Sequence, residues 1–336
     1  MVRVYSGAST RMSVGKFLQQ AAAGNAGGGD AVFSTYLYDG TGSAQTITNN
    51  VNLDGEGGLV WIKSRGPSAF NHILEDTARG ADRYLRTNTT NAELIGGGGV
   101  TAFNSNGFTT GTNGAVTASG DEFASWTFRK QSGVFDVVAY TGDTSTSSPP
   151  YIRTISHNLG VAPEMIIIKC RSNTGSWHVY VNGITSMGLL EDSGAFTTSQ
   201  AIGTTTSTDF TLSAPFTALN VNGRTYISYL FATASEISKV GSYTGTAANL
   251  DVDCGFTSGA RFVLVKRTDS TGDWYIWDSE RGIVAGNDPY LLVNSTAAEV
   301  TSTDYIDPLS SGFTITSSAP AALNASGGTY IFLAIA

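Results

Sequence analysis

Short runs of apolar residues alternate with turns rich in glycine and asparagine along the chain, and the runs recur in the same order three times. One run in each copy has five residues and ends in lysine, at residues 59–63, 165–169 and 262–266. Runs that are too short for a helix and rich in β-branched residues predict strands buried on both faces. The chain is therefore expected to consist of short strands joined by turns.

Other landmarks repeat at a spacing of 102 to 104 residues. The copies open on Tyr38, Tyr140 and Tyr243, and each closes on an aromatic strand, at residues 123–128, 226–231 and 330–335. In a second strand, three aromatic residues are predicted to be equivalent: Phe70, Trp177 and Trp274. A repeat of about 100 residues has the size of a whole β-sandwich. We therefore predict an all-β fold of three tandem β-sandwich domains, over residues 33–132, 133–236 and 237–336.

Residues 1–32 follow a different pattern. Val14, Phe17 and Leu18 are spaced as on one face of a helix, and Ser13 precedes them as a suitable N-cap. A glycine-rich stretch at residues 24–29 follows and predicts a flexible tether. The pattern indicates a short helical anchor segment that docks on another protein. A frayed terminus with no partner is the alternative.

Composition and charge exclude several classes of protein. The chain has 40 glycines and only 14% charged residues, as expected for many short strands and turns. A net charge of −8 argues against a nucleic-acid partner, which would require clustered Lys and Arg. The sequence shows neither a secretory signal nor an apolar run long enough for membrane insertion. Cys170 and Cys254 lie at different points of their copies, so we expect no repeated disulfide and maturation in a reducing cytoplasm.

The sequence gives little support for catalysis. The three histidines and two cysteines show no spacing typical of metal ligands, so no metal and no cofactor are expected. Glu75 and Asp76 are carboxylates of the kind that glycosidases use, but sequence alone cannot give their separation. We therefore predict that the protein is not an enzyme, with a surface depolymerase as the least favoured alternative.

Two polar patterns have a functional and a structural interpretation. Asp76 and Arg79 in copy one match Asp278 and Arg281 in copy three, whereas residues 181–184 of copy two lack both. Because one copy lacks the pair, we favour a turn with local Asp–Arg pairing over a shared catalytic role. Loop carboxylates in copies three and one could hold Ca²⁺, but solvated side chains are favoured over an ion site: Asp251, Asp253, Asp54 and Glu56.

Aromatic residues are the better candidates for binding. Alternation along the second strand places His178 and Tyr180 on one face of copy two, and Tyr275 and Trp277 on the same face of copy three. An outward aromatic pair could stack on a sugar ring or fill a subunit interface. A second buried layer is the alternative, and packing is favoured over glycan contact.

Several motifs resemble a module common in tail-fibre-like virion proteins of marine tailed phages. In copy one they are residues 59–66, 76–81, 88–93 and 103–108. The later copies are similar at residues 157–165, 294–299 and 330–336. The resemblance covers residues 33–336 and leaves the N-terminal segment unmatched. It implies a structural component of a phage particle, found in the virion and assembled in the host cytoplasm, and it supplies no catalytic residues.

Physical pattern and resemblance together give one leading hypothesis and one rival. In the first, residues 1–32 bind other virion structural proteins while the sandwiches, as a homo-oligomeric tail fibre or spike, contact a host surface glycan. Many weak contacts per particle would then act through avidity. In the rival, the chain is a capsid or tail decoration protein that cements neighbouring subunits and has no receptor role.

Overall fold

A computed structural model describes residues 31–143, 152–213 and 218–336. These residues form 26 β-strands and three one-turn helices, which confirms the all-β fold. The predicted anchor residues Val14, Phe17 and Leu18 lie outside the described residues. We refer to the three copies as repeat 1 (residues 31–132), repeat 2 (133–236) and repeat 3 (237–336).

The three repeats contain antiparallel strands in a similar order, and the described residues form nine in repeat 1, nine in repeat 2 and eight in repeat 3. Repeat 1 comprises β1 Phe33–Asp39, β2 Gln45–Thr48, α1 Leu53–Glu56, β3 Gly58–Ser64, β4 Ile73–Asp76, β5 Arg83–Tyr84, β6 Leu94–Ile95, β7 Val100–Asn104, β8 Gly107–Thr110, α2 Gly114–Thr117 and β9 Glu122–Arg129. Repeat 2 comprises β10 Phe135–Thr141, β11 Ile152–Ser156, β12 Met165–Cys170, β13 Trp177–Val181, β14 Ser186–Leu189, β15 Thr198–Ser199, β16 Ile202–Thr205, β17 Asp209–Ser213 and β18 Thr225–Phe231. Repeat 3 comprises β19 Ser238–Thr244, β20 Leu250–Asp253, β21 Phe262–Arg267, β22 Trp274–Asp278, β23 Leu291–Leu292, β24 Ile306–Leu309, β25 Gly312–Ile315, α3 Ala321–Asn324 and β26 Thr329–Ile335.

Every repeat pairs a main sheet with a three-stranded small sheet. The main sheets have the orders β1-β9-β3-β4, β10-β18-β12-β13-β14-β15 and β19-β26-β21-β22-β23. The small sheets have the orders β2-β8-β7, β11-β17-β16 and β20-β25-β24. In each main sheet the lysine-ended run predicted to be a buried strand lies inside the sheet, hydrogen-bonded on both sides, as β3, β12 or β21.

The main sheets bury both of their faces, but against different partners. Along β3, Val60 and Ile62 pack into a core formed only by residues of repeat 1. Repeats 2 and 3 contain corresponding cores of their own. Leu59 and Trp61 point to the opposite face, into a core to which all three repeats contribute. Because side chains alternate along a strand, one short apolar run serves both cores.

Aromatic rings from three repeats meet in this shared core. The Phe128 ring lies 4.7 Å from Phe33, 5.5 Å from Phe135, 5.6 Å from Phe231 and 5.7 Å from Phe262, measured between ring centroids. The contacts are tilted or edge-to-face, which are favourable arrangements for aromatic pairs. The three repeats therefore do not lie apart along the chain. They pack around one common core, to which each repeat contributes.

Candidate functional site

The aromatic residues proposed for glycan contact are buried. Exposed fractions are 8% for His178, 7% for Tyr180, 7% for Tyr275 and 0% for Trp277. Tyr180 lies in the core of repeat 2, and Tyr275 and Trp277 stack in the core of repeat 3 with their ring centroids 5.6 Å apart. The small sheet covers this face of the main sheet, so these side chains do not form an outward aromatic surface. The interpretation favoured over glycan contact, packing in a second buried layer, is the arrangement observed.

On the opposite face, ring N–H groups reach into the neighbouring repeat. Trp177 Nε1 donates to the Arg86 carbonyl oxygen at 3.0 Å, and Trp274 Nε1 donates to the Leu189 carbonyl oxygen at 2.9 Å. These residues pair with Lys169 and Lys266 across their sheets. Each tryptophan therefore joins its own main sheet to a loop of another repeat.

His72, not Phe70, takes the equivalent position in repeat 1. Extending the β3–β4 register from the Ile62–Ile73 pair places His72 opposite Lys63. Its Nδ1 accepts a 2.9 Å hydrogen bond from Trp61 Nε1, so Nε2 carries the proton and donates to the Leu292 carbonyl oxygen at 2.9 Å. Burial, with the nearby Lys63 charge, lowers the pKa of His72 to about 3. The neutral imidazole thus donates a hydrogen bond to the neighbouring repeat, as the indole N–H groups of Trp177 and Trp274 do.

The lysine that ends each apolar run also crosses to the next repeat. Lys63 Nζ lies 3.3 Å from the Thr296 carbonyl oxygen, Lys169 Nζ lies 3.1 Å from that of Thr90, and Lys266 Nζ lies 2.9 Å from that of Ser193. Burial lowers the pKa of each lysine to about 8. Repeat 1 donates to repeat 3, repeat 2 to repeat 1, and repeat 3 to repeat 2. The three contacts form a closed cycle.

A buried ionic network links repeat 2 to repeat 1. Arg171 binds Glu93 through two hydrogen bonds of 3.0 Å, and Glu93 also contacts Arg79 at 3.2 Å. Arg79 pairs with Asp76 at 2.5 Å, and the Tyr229 hydroxyl of repeat 2 donates to the same Asp76 carboxylate at 2.7 Å. The predicted local Asp–Arg pairing is therefore confirmed, but sequence gave no indication of its partners across the interface.

An equivalent but separate network links repeat 1 to repeat 3. Arg65 binds Glu299 with its shortest contact at 2.8 Å, and Glu299 contacts Arg281 at 3.3 Å. Arg281 pairs with Asp278 at 2.7 Å, and Trp126 Nε1 donates to the Asp278 carboxylate at 2.9 Å. Arg281 and Asp278 have fully buried side chains. Two of the three interfaces therefore use equivalent ion pairs in equivalent positions.

The interface between repeats 3 and 2 is apolar at these positions. The Phe196 N–H donates to the Thr268 carbonyl oxygen at 2.8 Å. In the same way, the backbone N–H of Glu93 donates to the Arg171 carbonyl oxygen, and that of Glu299 to the Arg65 carbonyl oxygen. Phe196 thus replaces the glutamate and Thr268 replaces the arginine. The Phe196 ring packs 6.1 Å from the Trp274 ring. This interface keeps the backbone geometry of the other two without their charges.

Introducing one charge at this apolar interface is expected to be costly. Phe196→Glu would bury a carboxylate without a partner and lower the free energy of unfolding by about 3–5 kcal/mol. Adding Thr268→Arg supplies the missing partner and should recover a large part of the loss. Denaturant unfolding of both variants measures this. A double variant no more stable than the single one would show that the three interfaces are not equivalent.

The carboxylates considered as a glycosidase pair do not face each other. Glu75 and Asp76 are neighbours on β4, so their side chains point to opposite faces of the sheet. Asp76 belongs to the ionic network, whereas Glu75 accepts hydrogen bonds from the Val100 N–H at 2.5 Å and the Arg83 N–H at 3.0 Å. Burial raises the pKa of Glu75 to about 7 despite these donors. The pair cannot flank one scissile bond.

The raised pKa of Glu75 predicts a specific dependence of stability on pH. The native state holds the Glu75 proton up to about pH 7, whereas the unfolded chain releases it near pH 4.5. The contribution to stability is therefore complete below pH 4.5 and is lost as the pH rises to about 7. The stability advantage of the wild type over Glu75→Gln should shrink across this window. A constant difference in urea unfolding between pH 4.5 and 7 would contradict the assignment.

The remaining candidate residues, the carboxylates considered for Ca²⁺ and the cysteines, do not form a catalytic or metal-binding group among the described residues. Asp251 accepts from the Thr314 hydroxyl at 2.6 Å, and Asp253 accepts from the Gly255 N–H at 2.8 Å. No group of three or more His, Cys, Asp or Glu side chains could hold a metal ion within the part of the chain that the structure describes. Cys170 and Cys254 are buried free thiols. Among the described residues, no helix is long and apolar enough to span a membrane.

A groove of about 570 Å³ separates part of repeat 1 from repeat 2. Asp54 and Glu56 of α1 line it, together with Lys130, whose Nζ pairs with Asp136 at 3.0 Å. The lining residues include no histidine and no cysteine. The groove thus offers carboxylates at its rim but no nucleophile paired with a base, which acyl or phosphoryl transfer would require.

Comparison with protein families gives one match. The model of a domain of unknown function (DUF7483) matches residues 29–336, a range that contains all three repeats. No curated protein and no solved structure matches the chain.

Proposed function

We propose that this chain, which belongs to the DUF7483 family, is a non-enzymatic structural protein of a phage virion. One observation carries the proposal: buried ion pairs join the repeats. Asp76, Arg79, Glu93 and Arg171 hold repeat 2 to repeat 1, and their counterparts hold repeat 1 to repeat 3. Ion pairs that hold the repeats together, rather than form a reactive site, suit a mechanical role. The resemblance of its motifs to tail-fibre-like proteins supplies the virion setting.

Contact with a host surface would use the outward faces of the small sheets, since the aromatic candidates are buried. These faces carry paired threonine hydroxyls, Thr46 with Thr109 at 3.3 Å and Thr204 with Thr211 at 3.1 Å. Hydroxyls both donate and accept hydrogen bonds, as recognition of a glycan requires. Several copies per particle would combine weak contacts into useful avidity.

A decoration role is the second candidate, and the shared core favours it. Three repeats gathered around one core reach less far than three repeats in a line. A compact body of this kind can lie on neighbouring capsid or tail subunits and cement them. In this role the small sheets would be covered by virion proteins rather than open to solvent.

Analysis of purified phage particles tests the proposal. We expect mass spectrometry to find the chain in particles and cryo-electron microscopy to locate it, with small sheets open to solvent in a tail fibre or covered in a decoration protein. A chain without residues 1–30 should fold but fail to join particles. Particles that lack the full chain would overturn the virion assignment, and normal incorporation of the shortened chain would overturn the anchor.

A further inference from the structure

Each repeat presents two different sides to its neighbours. The donor side carries the lysine and the ring N–H of the main sheet, as in Lys169 and Trp177. The acceptor side carries the loop carbonyl groups that receive them, as at Arg86 and Thr90. Every interface joins the donor side of one repeat to the acceptor side of another. Such head-to-tail contacts form a ring when the rotation between units closes, and here it closes after three units.

The charged parts of the two sides are distributed unequally. Repeat 2 has only the donor half, Arg171 and Tyr229, because Val181 and Phe196 stand where the acceptor carboxylates would be. Repeat 3 has only the acceptor half, because Thr268 and Leu333 replace the donor residues; its acceptor carboxylates are Asp278 and Glu299.

Repeat 1 alone has both charged halves. Its donors, Arg65 and Trp126, bind repeat 3, and its acceptors, Glu93 and Asp76, bind repeat 2. The two halves belong to the same cyclic geometry, so the donor side of one copy of repeat 1 matches the acceptor side of another copy. His72 likewise has a ring N–H, which donates to the Leu292 carbonyl group in the intact chain. In another copy of repeat 1 the Arg86 carbonyl group, which accepts from Trp177 in the intact chain, would receive it.

We infer that repeat 1 is complementary to itself and that its fitting partner is another copy of repeat 1, with which it closes into a cyclic homotrimer. Repeat 2 does not form such a ring, because its donor arginine would meet Phe196 instead of a glutamate. In the intact chain both sides of every repeat are occupied internally. The full chain therefore does not associate through these surfaces, and a homo-oligomer of it must use others.

The test starts from the folded full chain. Protease sites are inserted after Gly133 and after Glu236, in the two connections between repeats, and the purified chain is cleaved. Native mass spectrometry should find the uncleaved chain as a monomer and the cleaved chain as a complex with one copy of each repeat. Repeat 1 separated from this complex should reassemble as a trimer, whereas separated repeat 2 should not. Repeat 1 that stays monomeric or unfolds, or repeat 2 that forms trimers, would overturn the inference.

Charge reversal distinguishes specific pairing of repeat 1 with another copy from non-specific association. Arg65→Glu alone should abolish the trimer of repeat 1. Adding Glu93→Arg should recover part of it, because residues 65 and 93 pair with each other only there, while Arg79 would also lie beside the new arginine. In the full chain the same double variant places like charges at both ionic interfaces, so its melting temperature should fall below that of the wild type. A trimer insensitive to Arg65→Glu, or a double variant that leaves the full chain unchanged, would refute the assigned pairing.

Discussion

Phe128→Ala is expected to lower the free energy of unfolding by about 3–5 kcal/mol, the usual cost of removing a large aromatic side chain from a packed core. Phe128 is 2% exposed and its ring touches rings from all three repeats. The cavity would therefore weaken the whole chain and not repeat 1 alone. Denaturant unfolding should show one transition displaced to lower denaturant concentration.

Ile95→Ala is the matched control for this variant. Ile95 also lies in repeat 1 but is 64% exposed, so its truncation should change stability by less than about 0.5 kcal/mol. A Phe128→Ala protein in which only one part of the chain unfolds early would show that the repeats have independent cores.

Asp76→Ala is expected to cost about 3–5 kcal/mol, because it removes the closest counter-ion of a buried guanidinium group. The Asp76 carboxylate receives Arg79 Nε at 2.5 Å and the Tyr229 hydroxyl at 2.7 Å, and both Asp76 and Arg79 have fully buried side chains. Removing the carboxylate breaks the hydrogen bond from Tyr229 of repeat 2 and leaves the buried Arg79 with Glu93 as its remaining acidic partner. Urea unfolding at pH 7 measures the loss.

Two further variants define the cause of that loss. Asp278→Ala removes the equivalent carboxylate between repeats 1 and 3 and should cost a similar amount. Asp253→Ala removes an exposed carboxylate at the end of β20 and should cost less than about 0.5 kcal/mol, as surface substitutions usually do. If Asp76→Ala were as mild as Asp253→Ala, the network would not hold the repeats together.

The strands were predictable because their signal is local. The lysine-ended runs became the central strands β3, β12 and β21, and burial on both faces followed from their lack of polar alternation. The shared core was not predictable, because a run buried on both faces does not reveal what covers the second face. Repeats in a line and repeats in a ring have the same local pattern.

The misplacement of Phe70 has a local cause. The loop between Lys63 and His72 is one residue longer than the loop between Lys169 and Trp177. Matching residues by aromatic character selected Phe70, whereas the strand register selects His72. At this position repeat 1 has the imidazole of His72 where the other repeats have an indole, and both rings supply an N–H donor. Comparison by residue type alone does not detect this equivalence.

The candidate site was predicted only in part. Alternation correctly separated Trp177 from Tyr180 and Trp274 from Trp277, but it could not tell which face a second layer would cover. The local pairing of Asp76 with Arg79 followed from their spacing in a turn. Its partner Tyr229 lies 153 residues away, and nothing in either segment indicates the other.

Small-angle X-ray scattering of a chain that starts at residue 31 tests the central claim, that three repeats close around one core. A compact body of this length should have a radius of gyration of about 20 Å. Three separate sandwiches in a line, each of about 100 residues, would give about 30 Å. A value near 20 Å is the result that the structure predicts, and a value near 30 Å would contradict the closed arrangement.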